Sequence, residues 1–297
     1  MRMCLGIAPA LLLLVATATP ALAWGSKGHE WTVSNAITLL PESKLKQYLR
    51  EHEGRIRFNS LIPDFHWKDG SVSKLESVDH YIDLEIIAVP PTPADLPLTR
   101  MDAARLYNAR GVKFSDGGFL PWRIQETYLA LVNALKTDRD AVPFWAGVLS
   151  HYVADATQPL HTTIHFDGWV SEANGPKELQ GIHLDYELTF IEDQGLEFRH
   201  SALAAAAPPA LIPDVHQATA ELVCESWRYV GLIYDVARRH QGPDKYVVWE
   251  RQLGAMTRQR LGRAASFLAS LWLTAWHEAG EPDLSLPPGN AIRPPAG

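Results

Sequence analysis

His151-Tyr-Val-Ala-Asp155-Ala-Thr-Gln-Pro-Leu-His161 is the stretch on which the reading of this chain turns. As a helix it sets His151 and Asp155 one turn apart on one face, with Cβ atoms about 5–6 Å from each other. An imidazole and a carboxylate at that spacing can grip one metal ion, as paired histidines do in helical zinc sites. Pro159 ends the helix, because it lacks an N–H and disfavours helical geometry in Gln158. His161 therefore leaves on a turn and can face a second ion. The plainer alternative is a buried helix with two satisfied histidines. Three ligand-type residues so close together, with more of the same kind elsewhere, weigh against it.

His183-Leu-Asp-Tyr-Glu187 repeats the arrangement, again imidazole and carboxylate four apart. His29, Asp64 and His80 fall on helix starts or loops and complete enough ligands for more than one site. Nitrogen and carboxylate donors without thiolate favour zinc, with manganese or iron as alternatives. Twelve histidines against 27 Lys+Arg agree with a metal site.

The chain opens as an export signal does, with Arg2, an apolar run over residues 7–15 and the small-x-small site Ala21-Leu22-Ala23. The apolar run is too short for a membrane span. Residues 1–23 are thus expected to be removed, giving a secreted or periplasmic chain that starts at Trp24. Trp24 would then carry a free α-amine of reference pKa about 8. A metal can displace that proton, and amine and carbonyl of one residue form a five-membered chelate that His29 could complete. A plain aromatic left at the cleavage point is the alternative.

Of the two cysteines only Cys224 would survive processing, so stability must come from packing or metals rather than an internal disulfide. The formal charge of −7 gives no electrostatic reason for a tight complex with nucleic acid or anionic membrane. Catalysis on either stays open, since bound cations reverse the sign locally.

The mature length suits one hydrophobic core. Residues 24–280 are expected to form one all-α catalytic domain, followed by a loose Pro-rich tail over 281–297. Ser26 is a plausible N-cap for the first helix, and 45–49 begins a second. Residues 54–75 read as a loop holding Asp64, and 78–85 as a short extended segment. Further helices are expected over 103–112, 122–135, 141–157, 183–191, 215–239 and 246–276.

Five pieces in this order resemble the zinc-dependent phospholipase C and S1/P1 nuclease superfamily. They are Trp24-Gly-x-x-Gly-His29, Pro63-Asp64, His80-Tyr-Ile-Asp83, His151-Tyr-x-x-Asp155-x-x-Gln-Pro-Leu-His161 and Gly181-x-His183-x-x-x-Glu187. The resemblance implies a single-domain helical fold with three zinc ions at the bottom of a cleft. Asp64, His80, His151 and Asp155 look like ligands of the first ion, and His161, His183 and Glu187 like those of the second. Trp24 and His29 look like ligands of the third, with Asp155 bridging to the first. Asp64 is also the candidate base or orienter of the attacking water.

Glu187 as last ligand, Asp167-Gly-Trp-Val where the nuclease arm has another stretch, and Trp67 where that arm often has a basic residue look like the phospholipase arm. The five-residue step from Trp24 to His29 looks more nuclease-like. Phe65 is a candidate for a lipid headgroup, since an aromatic face attracts a quaternary ammonium, though Lys27 stands near where a headgroup-binding acid is expected. Asp83 is a candidate for substrate contact or for orienting a ligand imidazole. His66, His165, Asp167 and Asp185 are further candidates near the site. The expected function is zinc-dependent hydrolysis of a phospholipid. The alternatives are a nuclease releasing 5′-nucleotides from single strands, or a metal-stabilised binding protein without catalysis. No protein partner is implied.

Overall fold

The computed structural model describes residues 24–68, 73–169, 176–192 and 196–285. The expected leader, residues 1–23, lies outside them, as do residues 286–297 of the tail. At the centre is the helix Val142–Thr157, with 14 of its 16 residues buried. A helix apolar on every side is stable only when surrounded. Here the helices Leu120–Thr137, Glu53–Asn59, Gly25–Leu39, Val215–Trp227 and Lys245–Glu278 pack around it. His151 and Asp155 ride on this helix and are therefore carried into the interior, both with no exposed surface. The helix stops at Thr157 as Pro159 requires: Gln158 is extended, with φ −82° and ψ 115°, and Pro159–Thr162 follows as a 3₁₀ turn that aims His161 away from the helix axis.

The N-terminal helix begins at Gly25, one residue before the expected Ser26 cap, with Trp24 in the left-handed region at φ 55°. The Trp24 side chain is fully buried, and its indole N–H donates to Ala154 O at 3.0 Å and Thr157 Oγ1 at 3.2 Å. This ties Trp24 to the residue beside Asp155. Gly28 is needed for the same contact, since a Cβ there would lie 2.3 Å from Trp24 Cβ.

The fold is all-α as expected, with isolated bridges and no strand among the described residues. Several expected segments differ. Residues 54–75 are not one loop: they hold the helix Glu53–Asn59, a π-helical turn Pro63–Trp67 and a short helix Ser73–Ser77. Only Ile56 of the first of these is buried, which left no periodic pattern to see. The expected extended segment pairs only at Ile82, across from Gly118, before turning helical at Leu84–Ile87. Gly118 has φ +74°, and a Cβ there would meet Tyr81 O at 2.2 Å. The 183–191 helix is broken into Ile182–Leu184, a π-helical turn Asp185–Thr189 and Phe190–Glu192. Residues 215–239 form two helices, Val215–Trp227 and Val230–Arg239. The first residues of the tail are docked, with Leu284 buried and Asp283 paired to Lys44. No helix among the described residues is long and apolar enough to cross a membrane.

Candidate metal centre

Three groups of buried histidines and carboxylates converge: His29 with Asp64 and His151, His80 with His151 and Asp155, and His161 with His183 and Glu187. None of these side chains belongs to a residue more than 7 % exposed. Asp155 sits between the first two groups with its oxygens divided. Oδ2 lies 3.0 Å from His80 Nδ1 and 3.4 Å from His151 Nε2, while Oδ1 lies 3.7 Å from His29 Nε2. Asp64 straddles the same gap, with Oδ1 3.6 Å from His80 Nδ1 and 3.8 Å from His151 Nε2, and Oδ2 4.0 Å from His29 Nε2. In the third group Glu187 Oε2 is 2.8 Å from His183 Nε2 and 3.2 Å from His161 Nε2.

The tautomers follow from what holds the rings. His151 donates from Nδ1 to Ser60 O at 2.8 Å, His161 to His80 O at 2.6 Å, and His183 to Phe166 O at 3.2 Å. A carbonyl only accepts, so each Nδ1 carries the proton and each Nε2 turns inward. In a neutral ring that Nε2 is a lone pair facing a carboxylate, which is unfavourable unless a proton or a cation lies between them.

The charges of the protein alone answer this only in part. Burial pulls His151 and His161 down, but Asp155 opposes it for His151 and Glu187 for His161, and both end raised above the ordinary 6.5. Burial pushes the Asp155 carboxyl up, yet His151 holds it well below the usual range. Glu187 is likewise lowered against burial by His183. His29 gains no such help: burial, then the neighbouring His151, drives it down to about 3. It is a neutral imidazole near pH 7, stacked 4.2 Å from the ring of His151, with neither nitrogen hydrogen-bonded. Asp64 Oδ2, Asp155 Oδ1 and Glu187 Oε1 are also buried without hydrogen-bond partners. Each such group costs about 1–3 kcal/mol if nothing satisfies it. Divalent cations would satisfy them together, and the nitrogen and carboxylate donor set suits zinc.

The centre opens into a cleft of about 690 Å³ lined by His80, His161 and His183 together with Tyr81, Asp83 and Phe166. Asp83 does not orient an imidazole: backbone carbonyls hold three of the rings, and Asp83 Oδ1 has no hydrogen-bond partner. Its carboxyl is pushed well above 3.8 by burial and then by Glu85 and Asp116. Phe65 is exposed and is not among the residues lining the cleft, whereas Phe166 is. Asp167 Oδ1 accepts from the backbone N–H groups of Gly181 at 2.7 Å and His183 at 3.3 Å, fixing the start of the His183 turn. His165 stacks on Trp169 at 4.0 Å, Asp185 pairs with Lys245 at 2.6 Å, and His66 is exposed.

Three residues at the centre escaped the sequence reading. Lys68 Nζ lies 2.5 Å from Asp64 Oδ1, so a basic residue does follow the aspartate, at the fourth place rather than the third. Gln158 donates from Nε2 to Glu187 Oε2 at 3.1 Å. Glu76 faces His80. Glu76-x-x-x-His80 has the same four-residue step as the other two pairs and could have been found by it.

The Asp83 carboxyl gives a stability prediction. Its folded pKa is raised, so the native state keeps its proton where the unfolded chain has lost it. The stability it contributes is full below about 3.8 and is lost as pH rises through the raised folded value. Asp83→Asn is therefore expected to stabilise the protein at pH 7, by about 1–3 kcal/mol, and to leave it unchanged near pH 3. Thermal unfolding at the two pH values checks this, and equal shifts at both would contradict it.

A family model described as zinc dependent phospholipase C matches residues 28–207. Among solved structures, alpha-toxin from an avian strain of Clostridium perfringens superposes with a TM-score of 0.52 at 14 % identity, covering 86 % of this chain and 65 % of that one. Alpha-toxin of Clostridium absonum gives 0.47 at 13 % identity, covering 84 % and 63 %. A Bradyrhizobium tropiciagri protein described as a probable serine protease is 28 % identical over 186 residues, which are 54 % of this chain and 23 % of that protein. The chain thus spans under two thirds of the length of each of these relatives, and under a quarter of the last.

Proposed function

Since the chain belongs to the zinc-dependent phospholipase C family, we propose that it is an exported hydrolase that cleaves the phosphodiester of a phospholipid headgroup. The observation that carries this reading is the divided Asp155 carboxylate, with imidazoles on both sides, buried behind His80, which lines a cleft walled by Tyr81 and Phe166. Bound zinc ions would supply a hydroxide near neutral pH and neutralise charge on the phosphoryl oxygens.

The chain's own residues divide the remaining work. Asp64, His80, His151 and Asp155 would hold one ion, His161, His183 and Glu187 the second, and His29 with the Trp24 amine and carbonyl the third. Asp64 is the candidate to orient the attacking water, with Lys68 beside it. Gln158 fixes the oxygen of Glu187 that faces the imidazoles. Tyr81 and Phe166 keep the wall of the cleft apolar, and Asp83, protonated over a wider range than usual, can donate to or accept from the substrate.

The nuclease reading keeps support from one feature: Tyr81 and Asp83 both line the cleft, and an aromatic ring with a carboxyl suits a stacked, hydrogen-bonded base. Assays of the purified protein on phosphatidylcholine, phosphatidylethanolamine and single-stranded RNA separate the readings. Turnover of a phospholipid but not RNA supports ours, RNA alone supports the nuclease, and no turnover at full zinc occupancy supports a binding protein.

Removal of residues 1–23 is part of the proposal, because only then is the Trp24 amine free. An uncleaved or Met-extended N-terminus is expected to leave the third site empty and activity low. Equal metal content and equal rate in the extended protein would overturn that.

A further inference from the structure

His80 differs from the other rings of the centre. It turns Nδ1, not Nε2, toward Asp155 and His151. Its Nε2 points away from the carboxylates of the centre, is buried, and makes no full hydrogen bond. Among the described residues the carboxylate paired with it is Glu76, whose Oε1 lies 3.5 Å away. If Nδ1 is to offer a lone pair to a cation, the ring proton must sit on Nε2, and Glu76 is what receives it.

Glu76 is itself fixed. It accepts a hydrogen bond from the hydroxyl of Tyr152, the residue after His151 on the central helix. Arg123 Nη2 lies 3.5 Å from its other oxygen, and Arg123 is held in turn by Asp79 at 3.4 Å and by the face of Tyr152 at 5.1 Å. Glu76 does not line the cleft, although its neighbour Ser77 and His80 do.

We propose that Glu76 is a positioning residue for the metal centre: it fixes the His80 ring so that Nδ1 faces the cation shared with His151 and Asp155. Backbone carbonyls do this for His151, His161 and His183, and only His80 relies on a charged side chain. A carboxylate at the far nitrogen also makes the imidazole a stronger donor, as carboxylate–histidine–zinc arrangements do. The proposal rests on the metal-centre reading above.

The test compares metal affinity in the wild type and in Glu76→Gln, by zinc titration against a competing chelator and by the visible spectrum of the cobalt-substituted protein. Glu76→Gln is expected to weaken one ion by about 10–100-fold, to alter that ion's cobalt spectrum, and to leave the ion of His161, His183 and Glu187 unchanged. A purely structural role would lower the melting temperature of the metal-free variant while affinity and spectrum stayed as in the wild type, and that result overturns the proposal. A wild type that binds no metal fails the metal-centre reading itself. Should Glu76→Gln not fold, Tyr152→Phe leaves the carboxylate in place but unanchored. Weaker binding of the same ion then supports the proposal, and unchanged affinity overturns it.

Discussion

Asp155→Asn is expected to abolish phosphodiester hydrolysis and to empty two metal sites at once. The reason is geometric. One oxygen faces His29 and the other faces His80 and His151, so the carboxylate serves both sides of the centre. An amide offers one oxygen and one donor nitrogen, so at most one side keeps an acceptor. Loss of an outer-sphere partner costs about 10–100-fold in metal affinity, and loss of a shared ligand should exceed that at both sites. Activity should fall by more than about 1,000-fold, which corresponds to roughly 4 kcal/mol of transition-state stabilisation. Metal analysis should show the His161, His183 and Glu187 site still filled. A variant that kept its full metal content and more than a tenth of its rate would refute the bridging role.

Stripping the protein with a chelator is the second large effect. Without cations, His29 stays neutral and Asp64, Asp155 and Glu187 each keep a buried oxygen unpaired. Zinc present at 1,000 times its dissociation constant stabilises a folded protein by about 4 kcal/mol per ion. For a chain of this size each ion should raise the melting temperature on the order of 10 °C. The chelated protein should therefore melt well below the loaded one, lose hydrolysis completely, and regain both on adding zinc. Among the described residues the one cysteine, Cys224, is buried and free, so no disulfide among them masks the difference. Equal melting curves with and without chelator would count against metals as part of the fold.

Much of this centre was legible because its geometry is local. His151 with Asp155 and His183 with Glu187 need only helical or near-helical spacing, and the stop at Pro159 needs only its missing N–H. The π-helical turn over Asp185–Thr189 does not spoil the second pair, which still closes to 2.8 Å. The all-α fold could be read from apolar residues at three- and four-residue steps, as over 215–239 and 246–276. What stayed hidden depends on tertiary contact. The helix Glu53–Asn59 buries one side chain and so shows no stripe. Asp83 reads like an imidazole partner, but the rings find carbonyls from Ser60, His80 and Phe166 instead, and no sequence pattern marks a carbonyl as an acceptor. Phe65 and Phe166 are both aromatic and both next to the site in sequence. Only the folded chain tells which of them lines the cleft.

The most direct test of the central claim is the zinc content of the purified protein beginning at Trp24, measured by native mass spectrometry alongside elemental analysis. Three ions per chain are predicted, falling to one in Asp155→Asn. A wild-type protein that binds no zinc, or the same number in both forms, would contradict the account.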